Sequence, residues 1–152
     1  MSIPATHVLR RGEDGYYLHA SPIKEAKKLR GTAYALEETG DGCTSTLFDT
    51  ANELSLTVPA DGGEIRLSML GFTLVIDRAA KEARLGNQVI PLGVVDGKIK
   101  MRMYTDTCSL EVFTEAYYAC FAVTADENLS QMTLCGEADA DLYVWPMEHI
   151  IA

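Results

Sequence analysis

Alternation of apolar and polar residues with a period of two is the feature that most constrains how this chain can fold. It runs through residues 54–58, 65–69 and 98–104, where leucine, isoleucine, valine and methionine occupy every second position. A β-strand sends successive side chains to opposite faces of its sheet, so this period places one face on a core and the other in water. Strands with one solvated face are typical of antiparallel sheets.

Glycine-containing turn sequences separate the alternating runs at short intervals. They are Asp14-Gly15, Gly40-Asp41-Gly42, Asp61-Gly62-Gly63, Gly86-Asn87 and Asp96-Gly97. Such residues accept the positive φ that tight hairpin turns require. About ten short strands joined by turns predict an all-β chain folded as a two-sheet antiparallel β-sandwich. A closed barrel has the same local pattern, and the order of the strands does not follow from it.

The first 30 residues lack this clear alternation. Ser21 can cap the free amides of a helical first turn, Pro22 suits the first helical position, and Gly31 can end the helix after Arg30. These residues predict one short N-terminal helix within an otherwise irregular segment. We expect residues 1–30 to form a linker or arm that packs on a β-sandwich of residues 31–152, the whole being a single compact domain.

Composition excludes several classes of protein. The 152 residues, of which 47% are hydrophobic, suit one domain with a sizeable core. No apolar stretch approaches the roughly 20 residues that cross a bilayer, so no membrane association is expected. The net charge of −9 opposes binding to nucleic acid, and the basic run 24–30 is typical of a solvated helix face. A cytoplasmic location is expected, although a secretion signal could precede the given sequence.

Cysteine and histidine are too scattered in the sequence to indicate a metal site. The residues concerned are Cys43, Cys108, Cys120, Cys135, His7, His19 and His149. Zinc sites need clustered ligands, so no metal is expected, and no motif indicates a cofactor. A chain of this size has enough core to stand without disulfides, so we expect reduced cysteines, with Cys120 packed in the core.

Two carboxylates, Asp106 and Glu111, flank an expected hairpin turn. A glycosidase needs two such groups facing one cleft, ~5–5.5 Å apart for retention and ~6.5–9.5 Å for inversion. Asp106 can instead bind the amides of the turn, while Glu111 shares a strand face with Phe113. We expect a structural role for both, with catalysis and partner contact as the alternatives. The chain contains no GxSxG elbow and no GxxxxGK[ST] loop.

Tyrosine and tryptophan provide candidate surfaces for stacking against a sugar. These residues are Tyr16, Tyr17, Tyr117, Tyr118 and Trp145. Adjacent tyrosines in a strand send one ring to each face, so the competing interpretation has one ring of each pair in the core. Pro146 cannot donate a ladder hydrogen bond, which indicates an edge strand or a bulge beside Trp145.

Residues 98–113 resemble a signature of the C-terminal domain of glycoside hydrolase family 32. That family comprises the invertases, sucrose-6-phosphate hydrolases, levanases and inulinases. In its members a strand of the type Leu-Arg-Ile-Phe-Val ends in an aspartate, and a serine-rich turn and Val-Glu-Val-Phe follow. The residues that match are Asp106, Ser109, Glu111, Val112 and Phe113. The resemblance implies a structural motif made by Asp106, Ser109, Glu111 and Phe113.

Three further stretches agree with the family in order and spacing. Residues 2–30 are similar to the link between the family's two domains, in which a Pro-Arg-Glu motif leads to an Asp-Gly, a Leu, a Gln-x-Pro-Val and then a Leu-Arg. Residues 71–78 are similar to the strand before the signature hairpin, and residues 142–150 to the closing strand. The resemblance therefore covers essentially the whole chain.

The departures from the family bear on activity. Ala5-Thr6 stands where members have Arg-Glu after the junction proline. This difference implies an altered contact with the neighbouring domain. Family members carry their catalytic acids on an N-terminal five-bladed propeller, in Asn-Asp-Pro-Asn-Gly, Arg-Asp-Pro and Glu-Cys contexts. This chain has no Asp-Pro and no Glu-Cys dipeptide, so no catalytic residue carries over and the chain alone is not expected to be an enzyme.

The resemblance implies a non-catalytic accessory domain that packs on a catalytic propeller of a β-fructofuranosidase-like parent. A free-standing carbohydrate-binding module is the alternative, and a small enzyme of unrelated chemistry is a third. Separation from a propeller would expose an apolar face. We therefore expect a homodimer, or an exposed apolar surface that is prone to association, near Leu9, Tyr17 and Leu29. A propeller encoded upstream of Met1 would distinguish a fragment from a free-standing protein.

Overall fold

The computed structural model describes residues 5–12, 15–22, 24–126, 128–137 and 139–147. In these ranges the regular structure is β-strand apart from one 3₁₀ helix. The strands are β1 (Ala5–Gly12), β2 (Gly15–Pro22), β3 (Glu37–Glu38), β4 (Cys43–Leu47), β5 (Asn52–Pro59), β6 (Glu64–Met69), β7 (Phe72–Asp77), β8 (Glu82–Leu85), β9 (Gln88–Pro91), β10 (Lys98–Thr105), β11 (Ser109–Thr114), β12 (Tyr118–Ala122), β13 (Gln131–Cys135) and β14 (Asp141–Pro146), and the 3₁₀ helix is Lys24–Leu29.

One large sheet has five antiparallel strands in the order β12-β11-β10-β5-β14. Strand β5 lies between β10 and β14, and Leu56 is opposite Met101 on one side and Leu142 on the other. Because the side chains alternate, a row of apolar residues across three strands points to one face. The period of two in residues 54–58 and 98–104 therefore predicted this part of the sheet correctly.

The second large sheet has seven antiparallel strands in the order β3-β4-β13-β6-β7-β8-β9. Its centre is the hairpin of β6 and β7, in which Leu67 lies opposite Leu74. Strand β13 pairs with both β4 and β6, and Leu134 continues the apolar row from Leu67. The burial of β6 alternates residue by residue, as its sequence predicts.

The two large sheets share one hydrophobic core, as in a β-sandwich. Side chains with at most 2% exposure line it from both sheets: Leu54, Leu56, Met101, Met103, Leu110 and Val112 from the five-stranded sheet, and Ile65, Leu67, Leu74 and Ile76 from the seven-stranded sheet. Full burial of one such side chain contributes roughly 1.5–3 kcal/mol. Because the inward-facing residues are fixed by this core, the alternate residues of each strand must point to the outer face of its sheet.

The N-terminal segment differs from its prediction. Strands β1 and β2 form a separate two-stranded sheet that runs from the pair Ala5–Pro22 to the pair Gly12–Gly15. The predicted start of the helix is wrong, because Ser21 and Pro22 end a strand instead of capping a helix. Among the described residues of this segment, residues 24–29 are helical in 3₁₀ form, and so short a stretch is marginal as an α-helix.

The count of strands and sheets also differs from the sequence prediction. The described residues contain fourteen strands in three sheets, against about ten strands in two sheets. Strand β3 has two residues and β8 and β9 have four each, too few for a period of two to be visible. The division of the chain into an N-terminal arm of residues 1–30 and a sandwich of residues 31–152 stays a prediction.

A buried arginine supports the turn between β5 and β6. Arg78 is 2% exposed, and its Nε and Nη1 donate to three carbonyl oxygens of residues 59–63 at 2.8–3.2 Å. Nη1 also donates to Glu137 Oε2 at 2.5 Å. The guanidinium lies where a Cβ on Gly62 would be, and Gly62 has a φ of +146°. Glycine is therefore required at that turn position.

The cysteines correct two predictions. Cys43 of β4 and Cys135 of β13, which are 92 residues apart in sequence and directly paired across the strands, form a disulfide. Cys120 is an exposed thiol and not a core residue, because Phe121 is the inward-facing residue of β12 and Cys120 faces the other way. Cys108 is also exposed and free.

Removal of the disulfide is expected to weaken the seven-stranded sheet. The cross-link constrains an unfolded loop of 92 residues, so Cys43→Ser with Cys135→Ser should lower the free energy of unfolding by about 4.6 kcal/mol if loop entropy is the main contribution. Urea denaturation followed by circular dichroism measures the change. Cys120→Ser is the control and should leave the midpoint unchanged. Equal midpoints for the oxidised chain and the double variant would contradict the expected contribution.

Candidate functional site

The outer face of the five-stranded sheet gathers the polar and aromatic side chains that alternate away from the core. It carries Glu53, Ser55 and Thr57 from β5, Arg102 and Tyr104 from β10, Glu111 and Phe113 from β11, Tyr118 from β12, and Tyr143 and Trp145 from β14. The N-terminal hairpin and the 3₁₀ helix cover part of it. Ala20 and Ala26 pack there against Tyr104 and Phe113 in a second apolar cluster.

A fully buried carboxylate lies at the centre of this face. Glu53 is 0% exposed and binds two arginines. Arg30 Nε donates to Glu53 Oε2 at 2.6 Å, and Arg102 Nη2 lies 3.3 Å from Glu53 Oε1. A buried carboxylate is costly unless such partners compensate for its lost hydration. Glu53 therefore requires both the end of the N-terminal segment and the central strand to be in place.

Tyr104 extends this network. Arg102 Nη2 donates to the Tyr104 hydroxyl at 2.9 Å, and the ring of Phe113 meets that of Tyr104 edge to face at a centroid distance of 6.0 Å. Burial raises the pKa of Tyr104 above its ordinary value, and the negative charge of Glu53 raises it further. Tyr104 therefore stays a neutral phenol at physiological pH.

The residues of the signature motif have separate partners. Glu111 is 1% exposed and accepts a hydrogen bond from the Tyr118 hydroxyl at 2.6 Å, on the same face as Phe113. Asp106 lies in the turn before β11, where its Oδ1 accepts from the Thr107 amide at 2.6 Å and its own amide donates to the Ser109 carbonyl at 2.9 Å. These contacts are of the structural kind expected from the sequence, and the role of the motif stays a prediction.

The five predicted stacking residues do not form one surface. Tyr16 is 71% exposed on the hairpin, and Tyr117 is 51% exposed in the turn after β11. Tyr118 packs its ring on Phe113 at 4.6 Å, so it belongs with the apolar cluster. Trp145 lies partly buried on the outer face, and the side chain of Tyr17 is outside the described residues.

An aromatic pair at the outer strand β14 was missed by the sequence analysis. The rings of Tyr143 and Trp145 are stacked with a centroid distance of 5.8 Å and an angle of 12°. The Arg30 guanidinium carbon lies 3.8 Å from the centroid of the Trp145 ring. The alternation of β14 places Tyr143 and Trp145 on one face, but only the pairing of β14 with β5 shows that this face also holds Glu53.

Some predicted features fall outside the described residues. These are residues 2–4 of the junction, Asp14, Ile23, and residues 148–150 of the closing strand, including His149. Within the described ranges, no group of three or more Cys, His, Asp or Glu side chains is placed to hold a metal ion. No helix in the same ranges is long and apolar enough to cross a membrane.

Comparison with solved structures shows that the fold is similar to part of several glycoside hydrolases. No protein-family model and no curated protein sequence matches the chain. Among solved structures, the chain is similar to an exo-inulinase from Aspergillus awamori, with a TM-score of 0.78, 14% identity, and coverage of 96% of this chain and 35% of that one. A glycoside hydrolase family 32 protein from Bifidobacterium adolescentis gives a TM-score of 0.76, 16% identity, and coverage of 98% and 26%.

A sucrose-6-phosphate hydrolase from Lactobacillus gasseri is also similar, with a TM-score of 0.61, 18% identity, and coverage of 93% of this chain and 33% of that one. The resemblance to glycoside hydrolase family 32 is thus confirmed in the fold. The chain spans between about a quarter and a third of the length of these structures. Nearly the whole chain corresponds to one part of much larger proteins.

Loss of the Glu53 charge is expected to destabilise the outer face. Glu53→Gln keeps the shape but leaves Arg30 and Arg102 without their common carboxylate, so the free energy of unfolding should fall by about 3 kcal/mol. Chemical denaturation at pH 7 measures this loss.

Glu64→Gln is the matched control. Glu64 also binds two arginines, Arg66 and Arg84, but its side chain is 38% exposed on the other large sheet. Its replacement should cost less than about 1 kcal/mol, because exposed ion pairs contribute little. Equal losses in the two variants would show that burial of Glu53 is not what makes its network important.

Proposed function

We propose that the chain is a non-catalytic β-sandwich accessory domain of a family 32-type glycoside hydrolase, whose parent acts on sucrose or fructans like a β-fructofuranosidase. Its role is to pack against the catalytic propeller and stabilise it. The observation that carries this proposal is the coverage: 96% of this chain matches only 35% of the exo-inulinase. A domain with this fold is, in those structures, one part of a larger chain.

The N-terminal hairpin is the surface that suits this contact. Leu9 and Tyr16, 66% and 71% exposed, lie on one face of its two strands, whereas Val8, 47% exposed, lies on the other face. Single exposed apolar residues are ordinary, and it is the neighbouring pair on one face that favours a protein interface. The family resemblance implies that the same segment lies at the junction of the two domains, which supports the proposal. A second copy of this chain is the competing occupant of this surface.

The absence of catalytic function is supported by the engagement of the candidate acids. Asp106 binds the amide of its own turn, and Glu111 is buried beneath the Tyr118 hydroxyl. Glu53 is held between two arginines with no exposure to solvent. A general acid or base needs access to a substrate proton within hydrogen-bond reach. Asp106 is partly exposed but engaged by its own turn, and the buried carboxylates Glu53 and Glu111 are better suited to holding strands together.

Purified chain is expected to show no turnover of sucrose, inulin or levan above the blank. Released reducing sugar measures the activity. Hydrolysis that Asp106→Asn or Glu111→Gln abolishes would assign catalysis to those residues and overturn the proposal.

Docking through the hairpin is tested with Leu9→Glu. The catalytic propeller of the proposed parent is expressed separately and mixed with the chain, and sedimentation velocity measures the complex. Leu9→Glu should abolish binding, because a charge would be buried in an apolar contact. Leu47→Glu, at a 73% exposed position of β4, is the control and should bind as the native chain does. A dimer of the chain alone that Leu9→Glu dissociates would assign the surface to self-association.

A further inference from the structure

We propose that the open part of the outer face of the five-stranded sheet is a binding site for an uncharged oligosaccharide, with Tyr143 as its stacking platform. The site lies between the aromatic pair on β14 and the N-terminal strand β2. This inference goes beyond the packing role and does not depend on it, because the exposed apolar hairpin residues Leu9 and Tyr16 are not among those that line this site.

A series of contacts fixes the orientation of the Tyr143 ring. Buried Glu53 fixes Arg30, the guanidinium of Arg30 covers the Trp145 ring, and Trp145 stacks on Tyr143. Tyr143 is nevertheless 52% exposed. An exposed aromatic ring with a fixed orientation loses little conformational entropy when a ligand binds, which favours affinity. Sugars offer an apolar face of C–H groups to such rings, and the phenol supplies a polar edge.

The floor of the site, formed by the outward-facing residues of β14, β5 and β10, carries polar groups separated by the distance between neighbouring strands. Across the strands, Tyr143 is paired with Ser55, and Ser55 with Arg102. Neighbouring strands lie about 4.8 Å apart, so the ring and Arg102 are separated by roughly 10 Å along the floor. In the next outward-facing row, Asp141 is paired with Thr57, and Thr57 with Lys100. Hydroxyl, carboxylate and ammonium groups in two rows can bind the hydroxyls of a sugar as donors and acceptors.

Strand β2 bounds the site on the side away from Tyr143. A cleft of about 180 Å³ lies between residues 19–22 of β2, the side of β10 that carries Lys100 and Arg102, and residues 113–115, which include the carboxylate of Glu115. Its volume is below the ~300–1,000 Å³ of pockets that enclose drug-sized ligands, so it suits one sugar ring. A second ring then reaches Tyr143 across the floor.

The exposed charged groups at the two ends of the floor are of opposite sign. Glu53 offsets one of the two positive charges of Arg30 and Arg102, and it engages both guanidinium groups. Lys100 is exposed, and Asp141 occupies the other end of the same row. A row that ends in one positive and one negative group has no net charge to attract a phosphate or a carboxylate.

The single tryptophan of the chain makes the test direct, because Trp145 lies 5.8 Å from the Tyr143 ring. Its fluorescence is titrated with fructo-, malto-, cello- and xylo-oligosaccharides up to about 10 mM, the range in which weak sites saturate. At least one series should give a saturable change. Tyr143→Ala should weaken that binding about tenfold, as expected for a lost stacking ring, whereas Tyr143→Phe should keep most of it.

Tyr117→Ala is the matched control, since Tyr117 is 51% exposed but lies in the turn after β11. It should bind as the native chain does, and Leu9→Glu should as well, which separates this site from the hairpin surface. Thermal unfolding followed by circular dichroism shows that each variant is folded. No fluorescence change with any series, or equal weakening by Tyr143→Ala and Tyr117→Ala, would overturn the proposal.

Discussion

The compensation of Glu53 is the constraint on which the outer half of the structure depends. A carboxylate with no exposure to solvent is stable only while both arginines hold it. Arg102 comes from the central strand β10, and Arg30 comes from the segment that follows the 3₁₀ helix. One side chain of β5 thus joins the middle of the sheet to the end of the N-terminal segment. The position of that segment is therefore set by electrostatics as well as by the small apolar cluster beneath it.

Backbone contacts reinforce this junction. The Gly31 amide donates to the Pro146 carbonyl at 2.8 Å, and Arg30 forms a bridge with Met147. A Cβ on Gly31 would lie 2.9 Å from the Pro146 ring, so glycine is needed here for close approach to β14. The sequence analysis assigned Gly31 to the end of a helix. Its observed neighbour is instead 115 residues away by the numbering of the chain, which local pattern does not reveal.

The amino-acid sequence predicts those features of the fold that depend on local periodicity. The inward rows of β5, β6 and β10, the all-β class and the shared face of Glu111 and Phe113 follow from alternation alone. The hairpin of β1 and β2 was missed because apolar residues are adjacent in Val8-Leu9 and Tyr16-Tyr17. The disulfide between Cys43 and Cys135 and the partners of Glu53 depend on which distant strands pair. That choice is made by the whole core, and no window of a few residues contains it.

The same distinction separates fold from function. The likeness to much longer family 32 structures at 14–18% identity establishes the fold, so function has to be argued from surfaces specific to this chain. Two surfaces are proposed for this purpose: the exposed apolar residues of the hairpin, and the sheet face beside Tyr143. They have different chemistry, because one would be stabilised by excluding water and the other by stacking and hydrogen bonds to hydroxyls. Since Arg30 connects the N-terminal segment to Trp145, a partner that shifts the hairpin would also act on the aromatic platform. Packing and sugar binding would then be coupled through a single buried carboxylate.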